Sequence, residues 1–122
     1  MRTVTASAIT DTVARLCLQA NLKLPEDVSA ALARSRRTEP WPLAKTTLDL
    51  LWDNMELADQ RQLPICQDTG MACVFLEIGQ EVYVNGSIEE AVHEGVREGY
   101  KKGYLRKSVV RDPLDRVNTG DN

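Results

Sequence analysis

The spacing of apolar residues changes once along this chain, at Leu63–Pro64, and that change limits the folds open to it. Before it, apolar residues recur every three or four positions, which is typical of amphipathic helices. After it come the apolar run 72–78, rich in β-forming residues and expected to be largely buried, and a second short run. The pattern predicts helices at about 4–21, 25–37, 42–62 and 88–102, strands at about 72–78 and 82–84, and an irregular tail over 104–122.

The last predicted helix carries two local signals. Ser87 and Glu90 form the S-x-x-E pattern of a capping box, so the helix should begin directly after Ser87. Four small residues then recur on one ridge, which predicts close packing against a neighbouring element: Ala91, Gly95, Gly99 and Gly103. Helices combined with a short strand pair predict an α+β fold, mainly helical with a small β-sheet.

Charge and hydropathy exclude several classes of protein. The 122 residues hold 15 Lys and Arg against 18 Asp and Glu, a net charge of −3, which argues against a general nucleic-acid binder. No run approaches the roughly 20 apolar residues of a membrane span, and no signal peptide precedes the first helix, so we expect a cytoplasmic protein with no membrane partner. Residues 97–116 carry a local net charge of +4, which fits a solvated face, a nucleic-acid patch or an anion site.

The three cysteines are too few and too scattered for a self-contained metal or disulfide site. Cys17, Cys66 and Cys73 include no C-x-x-C pair, and the single histidine offers no cluster. Cys17 on a helix face and Cys73 in a strand are interpreted as packing residues. Cys66 differs because it lies in a loop with other reactive side chains.

That loop, residues 64–70, reads Pro-Ile-Cys-Gln-Asp-Thr-Gly and joins a predicted helix to a predicted strand. One interpretation is a plain turn, in which Asp68 bonds nearby backbone groups, Gly70 takes a positive φ and Cys66 is a small buried hydrophobe. The other is a chemical site. A thiolate suits an iron–sulfur cluster or zinc, while Gln67 and Asp68 supply hydrogen bonding and proton transfer to a polar substrate.

A second candidate is the basic segment 105–108, Leu-Arg-Lys-Ser. The planar guanidinium of Arg106 matches a carboxylate or phosphate, although a basic loop standing alone would be read as a solvated surface. Lys101 and Lys102 are interpreted as surface charges that suit a helix C-terminus, and His93 is given no role.

Together, loop 64–70 and the run 105–122 (Leu-Arg-Lys-Ser-Val-Val-Arg-Asp-Pro-Leu-Asp-Arg-Val-Asn-Thr-Gly-Asp-Asn) closely resemble the class I, iron–sulfur-dependent fumarate hydratases. The resemblance is to the N-terminal part of the alpha chain in their two-subunit form and covers the chain from about residue 40 onward. It implies the fold of that N-terminal domain and the reversible hydration of fumarate to L-malate. L-tartrate dehydratases share the C-Q-D-T-G loop, whereas the R-K-S and D-P-L-x-R-x-N-T-x-D-N patterns resemble the fumarase branch.

The resemblance implies a role for each matching residue. Cys66 matches one of three cysteine ligands of a [4Fe–4S] cluster, Gln67 and Asp68 match substrate contacts, and Arg106 matches an arginine that binds a substrate carboxylate. Asp68 is also the candidate catalytic residue, either as an acid–base group or as the residue that orients one. An open iron position would act as a Lewis acid toward the leaving hydroxyl. Loop-building or subunit-contact roles are expected for four other matching residues: Asp112, Arg116, Asn118 and Asp121.

The resemblance also implies that residues 1–122 are an N-terminal fragment of a longer catalytic domain. Alpha chains of the family carry two further cluster cysteines downstream, and neither Cys17 nor Cys73 matches them. A cluster needs about three or four thiolates, so we expect the fragment alone to lack the cluster and to be inactive. Its expected partners are the rest of the alpha subunit, a beta subunit and a dicarboxylate, in an oligomer. The alternatives are an L-tartrate dehydratase alpha fragment and a non-catalytic protein-interaction module.

Overall fold

The computed structural model describes residues 1–122 and confirms an α+β fold that is mainly helical with a small sheet. No helix is both long enough and apolar enough to cross a membrane. The elements in chain order are β1 (Arg2–Thr5), α1 (Ala6–Leu22), α2 (Glu26–Thr38), α3 (Pro42–Arg61), β2 (Val82–Asn85) and α4 (Ile88–Lys102).

The start of the chain is a strand, where the sequence analysis placed the beginning of the first helix. β1 pairs in parallel with β2, with Arg2 opposite Val82 and Thr5 opposite Asn85. Three consecutive β-branched residues, positions 3–5, favour this extended conformation. The Oγ1 of Thr5 then accepts a hydrogen bond from the Ala8 amide at 3.2 Å, so this hydroxyl caps α1 and the helix begins at Ala6.

The predicted strand at 72–78 is wrong, as is its expected burial. Residues 71–79 form no regular strand, and none of the backbone groups of residues 71–78 pairs with another backbone group. The Phe75 side chain is 94% exposed. The physical reason is that the only sheet in the chain is the β1–β2 pair, so this run has no neighbouring strand to complete a ladder.

By its internal contacts the chain divides into two compact units, of which the first comprises Met1–Gln19 and Gln67–Asn122. Its core contains Val13, Cys17, Tyr100 and Leu105. α4 lies tightly against α1 at the predicted glycine ridge. A Cβ placed on Gly99 would lie 2.8 Å from the Cβ of Cys17. One turn earlier, a Cβ placed on Gly95 would lie 2.7 Å from the Cβ of Val13. The prediction of close packing along this ridge is confirmed.

The second unit, Ala20–Cys66, contains α2 and α3. An ion pair between Arg36 and Asp49 at 2.8 Å joins the two helices, and the Arg36 guanidinium also lies 4.9 Å above the Trp52 ring. Pro42 occupies the first turn of α3, where its missing amide costs nothing. Leu43 and Leu50, on the predicted apolar stripe of α3, are more than half exposed, and only Ala58 on this helix is buried.

Candidate active site

The loop that carries the candidate residues is a tight turn with its reactive side chains exposed. Cys66 is the last residue of the second unit and is exposed, so the interpretation of Cys66 as a buried hydrophobe is wrong. Gln67 and Asp68 follow it in the first unit and are also exposed. Asp68 Oδ1 accepts a hydrogen bond from the Gly70 amide at 3.3 Å, and Gly70 has a φ of 63°. Gln67 and Asp68 are therefore solvent-accessible next to a turn that the Asp68–Gly70 hydrogen bond closes.

Three hydrogen bonds within the first unit hold this turn in place. Thr69 Oγ1 donates to the Arg106 carbonyl oxygen at 3.0 Å, which joins the loop directly to the basic segment 105–108. The Tyr100 hydroxyl donates to the carbonyl oxygens of Thr69 and Gly70, at 3.3 Å and 3.1 Å. The structure thus brings residues 67–70 of the candidate loop next to the basic segment, although 37 positions separate Thr69 from Arg106.

Tyr100 is a positioning residue that sequence reasoning missed. It lies on α4, is only 2% exposed, and belongs to the core that α1 and α4 share. Burial is the main reason that the pKa of its phenol is raised. The only sequence signal is that an aromatic residue directly follows Gly99 on the predicted ridge. That position says nothing about where the hydroxyl will point, since its two acceptors are 30 and 31 positions away.

The basic segment leaves α4 through a sharp reversal of the chain. Tyr104 takes a left-handed φ of 53°, and the Leu105 amide donates to the Tyr100 carbonyl oxygen at 3.0 Å. The Leu105 side chain is buried, 4% exposed, and anchors the segment in the core. Arg106 is exposed and takes part in none of the ion pairs of the chain, so its guanidinium is available to an external anion. Lys107 is used structurally, because its Nζ donates to the Gly120 carbonyl oxygen at 2.7 Å.

The tail after this segment is irregular, as predicted, but it is ordered by side-chain hydrogen bonds. Asn118 Nδ2 donates to the Lys107 carbonyl oxygen at 2.7 Å, and the buried Asn122 accepts through Oδ1 from the Val109 amide at 3.1 Å. Asp112 Oδ1 accepts from two following amides, at 2.8 Å and 3.1 Å, and so closes a turn. A hydrogen bond with Thr119 is the main cause that lowers the pKa of Asp121. These contacts keep the basic segment in place.

The thiols of this chain do not by themselves form a cluster site. Cys17 is buried in α1, where burial raises the pKa of its thiol and favours the protonated form, which is a poor metal ligand. Cys66 and Cys73 are exposed; for Cys73 this corrects its interpretation as a packing residue. Nowhere in the chain do three His, Cys, Asp or Glu side chains come together in a way that could hold a metal ion. A three-thiolate cluster would need ligands from outside these residues.

Comparison with known proteins identifies the family. The sequence model described as fumarate hydratase (Fumerase) matches residues 10–122, which is nearly the whole chain and includes both segments of the site. The chain belongs to the fumarate hydratase family. The resemblance noted from the two sequence segments is confirmed, and the match extends further toward the N-terminus than those segments did.

Two curated relatives of this family member carry names of a different enzyme. The chain is 39% identical over 118 residues to a protein of Methanocaldococcus jannaschii named "Putative L(+)-tartrate dehydratase subunit alpha". It is 30% identical over 114 residues to the L(+)-tartrate dehydratase subunit alpha of Escherichia coli K12. Each alignment covers 93% of this chain but only 40% and 37% of the relatives. The chain therefore spans about two fifths of the length of the curated relatives it matches.

Proposed function

We propose that this chain is the N-terminal part of the alpha subunit of a hydro-lyase that reversibly hydrates fumarate to L-malate. The observation that carries the proposal is the 3.0 Å hydrogen bond from Thr69 to the Arg106 carbonyl oxygen. This hydrogen bond joins the loop that carries Gln67 and Asp68 to the segment that carries Arg106. The side chains of all three residues are exposed. Membership of the fumarate hydratase family supports this choice of reaction.

Each proposed role follows from the chemistry of the side chain. Arg106 binds a carboxylate of the dicarboxylate substrate through its planar fork of N–H donors. Dehydration of malate removes a proton next to a carboxylate, so negative charge develops there, and a guanidinium on that carboxylate stabilises it. Asp68 moves or helps to orient the proton, and Gln67 donates and accepts hydrogen bonds that orient the polar groups of the substrate.

We propose Cys66 as one ligand of a [4Fe–4S] cluster in the complete assembly. When bound, such a cluster would supply a Lewis-acidic iron to the departing hydroxyl. The donor set of residues 1–122 does not hold it alone, because Cys66 is one thiolate and no group of three metal-binding side chains exists. The remaining thiolates come from the rest of the alpha polypeptide, and residues 1–122 alone are inactive.

The relatives' names support two further proposals. Both describe an alpha subunit, so we propose a beta subunit as the partner of the complete alpha chain, in a larger oligomer. Both also name L(+)-tartrate dehydratase, which makes L-tartrate the second candidate substrate. A cytoplasmic location is proposed because a thiolate-bound cluster requires a compartment that keeps cysteines reduced.

The test is an anaerobic assay of the complete alpha subunit with its beta partner on fumarate, L-malate and L-tartrate. We expect fumarate and malate to be interconverted and L-tartrate to react at least tenfold more slowly. Arg106→Ala should raise KM for the dicarboxylate and lower kcat/KM by about a hundredfold, the loss of one charge-assisted bidentate contact. Lys101→Ala, an exposed cation on the preceding helix, is the matched control and should leave both constants unchanged.

If the assembly prefers L-tartrate, the proposed substrate becomes L-tartrate instead of fumarate. Turnover of none of the three dicarboxylates, or normal kinetics in Arg106→Ala, would refute the proposed site. Loss of bound iron in Cys66→Ala, with iron retained in Cys73→Ala, is the result expected from the ligand assignment. If both variants keep their iron, Cys66 is not a ligand.

A further inference from the structure

The segment 71–79 has the residue composition of a β-strand although no strand is formed there. Ala72 and Val74 line a cavity of about 330 Å³, together with apolar residues of α4 and with Val109. The consecutive residues 76–79 line a second cavity of about 250 Å³, next to residues of β1 and β2. Both cavities are lined by residues of the first unit, so the segment lies along the surface of that unit over most of its length.

Much of the apolar surface of the same segment is uncovered. Met71 is 69% exposed and Phe75 is 94% exposed, and Cys73 between them is exposed as well. Glu77 is the only charge between Met71 and Gly79. A run that is apolar on both faces is typical of a strand buried on both sides, and unpaired backbone groups along such a run are a template for another strand. The segment therefore presents an uncovered apolar surface with unpaired backbone groups.

We infer that the 71–79 segment is the docking strand for the part of the full-length alpha polypeptide that lies outside residues 1–122, which adds a β-strand along it. The aligned region makes up 40% and 37% of the curated relatives, so a polypeptide of their length has ample additional chain to supply a strand. The inference rests on the proposed function, which makes residues 1–122 part of a longer alpha polypeptide; the protection of Cys73 tests the added strand, whereas turnover of the dicarboxylates tests the reaction.

The position of the segment favours this occupant over a second copy of residues 1–122. Met71 directly follows Gly70, so a strand added here brings new chain to the end of the candidate loop. That loop supplies one exposed thiol, and residues 1–122 contain no group of three metal-binding side chains. A second copy would bring only the same residues, whereas the remainder of a longer polypeptide brings different ones.

The test uses Cys73, which faces outward in the middle of the segment, as a built-in reporter. Site-resolved alkylation with iodoacetamide is followed by peptide mass spectrometry, in the full-length alpha polypeptide and in the 122-residue chain. We expect Cys73 to react at least a hundredfold more slowly in the full-length polypeptide, and backbone amides of 71–78 to become as protected from hydrogen exchange as those of β2. Buried Cys17 reports global unfolding, since it reacts only if the core opens.

A pair of substitutions at one position shows whether the outer face is covered. Phe75→Asp in the full-length polypeptide should raise the alkylation rate of Cys73 at least tenfold with Cys17 still unreactive, because a carboxylate opposes burial of the added strand. Phe75→Leu, which stays apolar, should not. Equal Cys73 reactivity in the two polypeptides would overturn the inference. Protection that appears in the 122-residue chain as its concentration rises would assign the surface to a second copy and overturn it as well.

Discussion

Replacement of Tyr100 by Phe removes one hydroxyl from a side chain that is 2% exposed and leaves its ring in the core. That hydroxyl donates to the carbonyl oxygens of Thr69 and Gly70, at 3.3 Å and 3.1 Å. A hydrogen bond of this kind contributes about 1 kcal/mol to stability, and more where its acceptor stays dry after the loss. We therefore expect Tyr100→Phe to lower the free energy of unfolding by about 1–2 kcal/mol.

The assay is urea unfolding together with thermal unfolding of the same variant. For a chain of this size, about 1 kcal/mol lowers Tm by roughly 4 °C. Local exchange at the Gly70 and Met71 amides should increase by more than the global stability change accounts for, because the loop loses its anchor while the ring remains packed. In the complete enzyme, kcat/KM should fall although the variant remains folded at the assay temperature.

Two results would refute this reasoning. One is an unchanged Tm in Tyr100→Phe, which would mean that the hydroxyl does not hold the loop. The other is a uniform loss of stability without faster exchange at Gly70, which would make Tyr100 a core residue only. Tyr100→Leu serves as the contrast, since it loses ring packing as well as the hydroxyl and should cost roughly 3 kcal/mol or more.

Three further predictions concern the fold that supports the site. Gly99→Ala should destabilise the chain by about 1–2 kcal/mol in urea unfolding, because the new Cβ would lie 2.8 Å from the Cys17 Cβ. This overpacking exceeds the gain in helix propensity. A rise in stability would show that α1 and α4 are not so close. Gly70→Ala should lower stability by about 1 kcal/mol and slow catalysis through backbone strain alone, because φ is 63° and no atom lies within 4 Å of the new Cβ. Gly70→Asn should lower stability less, because asparagine tolerates this conformation. Equal losses in the two variants would point to another cause. Burial raises the pKa of Cys17 above its ordinary 9.0 and that of Tyr100 above 10.0. The free energy of unfolding should therefore be constant below about pH 8 and fall as pH rises past 9, because the unfolded chain releases these protons first. An unfolding free energy independent of pH between 8 and 11 would contradict this.

The helices were predictable because their signals are local. The capping box at Ser87 is formed as predicted, with the Glu90 amide donating to Ser87 Oγ at 3.2 Å, and α4 spans Ile88–Lys102, the predicted range. The glycine ridge predicted close packing, although not its partner. Such features depend on residues within a few positions of one another, so they can be recognised without knowing the rest of the fold.

The strands were predicted poorly because a strand is defined by its partner. β1 has only four residues, and it pairs with a strand that lies 80 positions further along. Residues 72–78 have the composition of a buried strand, yet no partner for them exists among these 122 residues. Propensity could describe both segments as β-forming, but it could not say which of them would pair.

For the site, sequence alone identified the side chains but not their arrangement. Loop 64–70 and the basic segment 105–108 were selected as separate candidates, and the resemblance to a family joined them. The contact that holds them together is made by the Thr69 hydroxyl and the Arg106 backbone, while the Tyr100 hydroxyl anchors the loop. None of these atoms has a sequence pattern of its own, because backbone acceptors are present at every residue.

The most direct test of the central claim, that residues 67–70 and Arg106 act as one dicarboxylate site, is a double-mutant cycle. kcat/KM for fumarate hydration is measured anaerobically in the complete assembly for Asp68→Asn, Arg106→Ala and the double variant. Residues that act together lose less in combination than the product of their separate losses. We predict that the double variant is within about tenfold of the worse single variant, and losses that simply multiply would contradict a shared site.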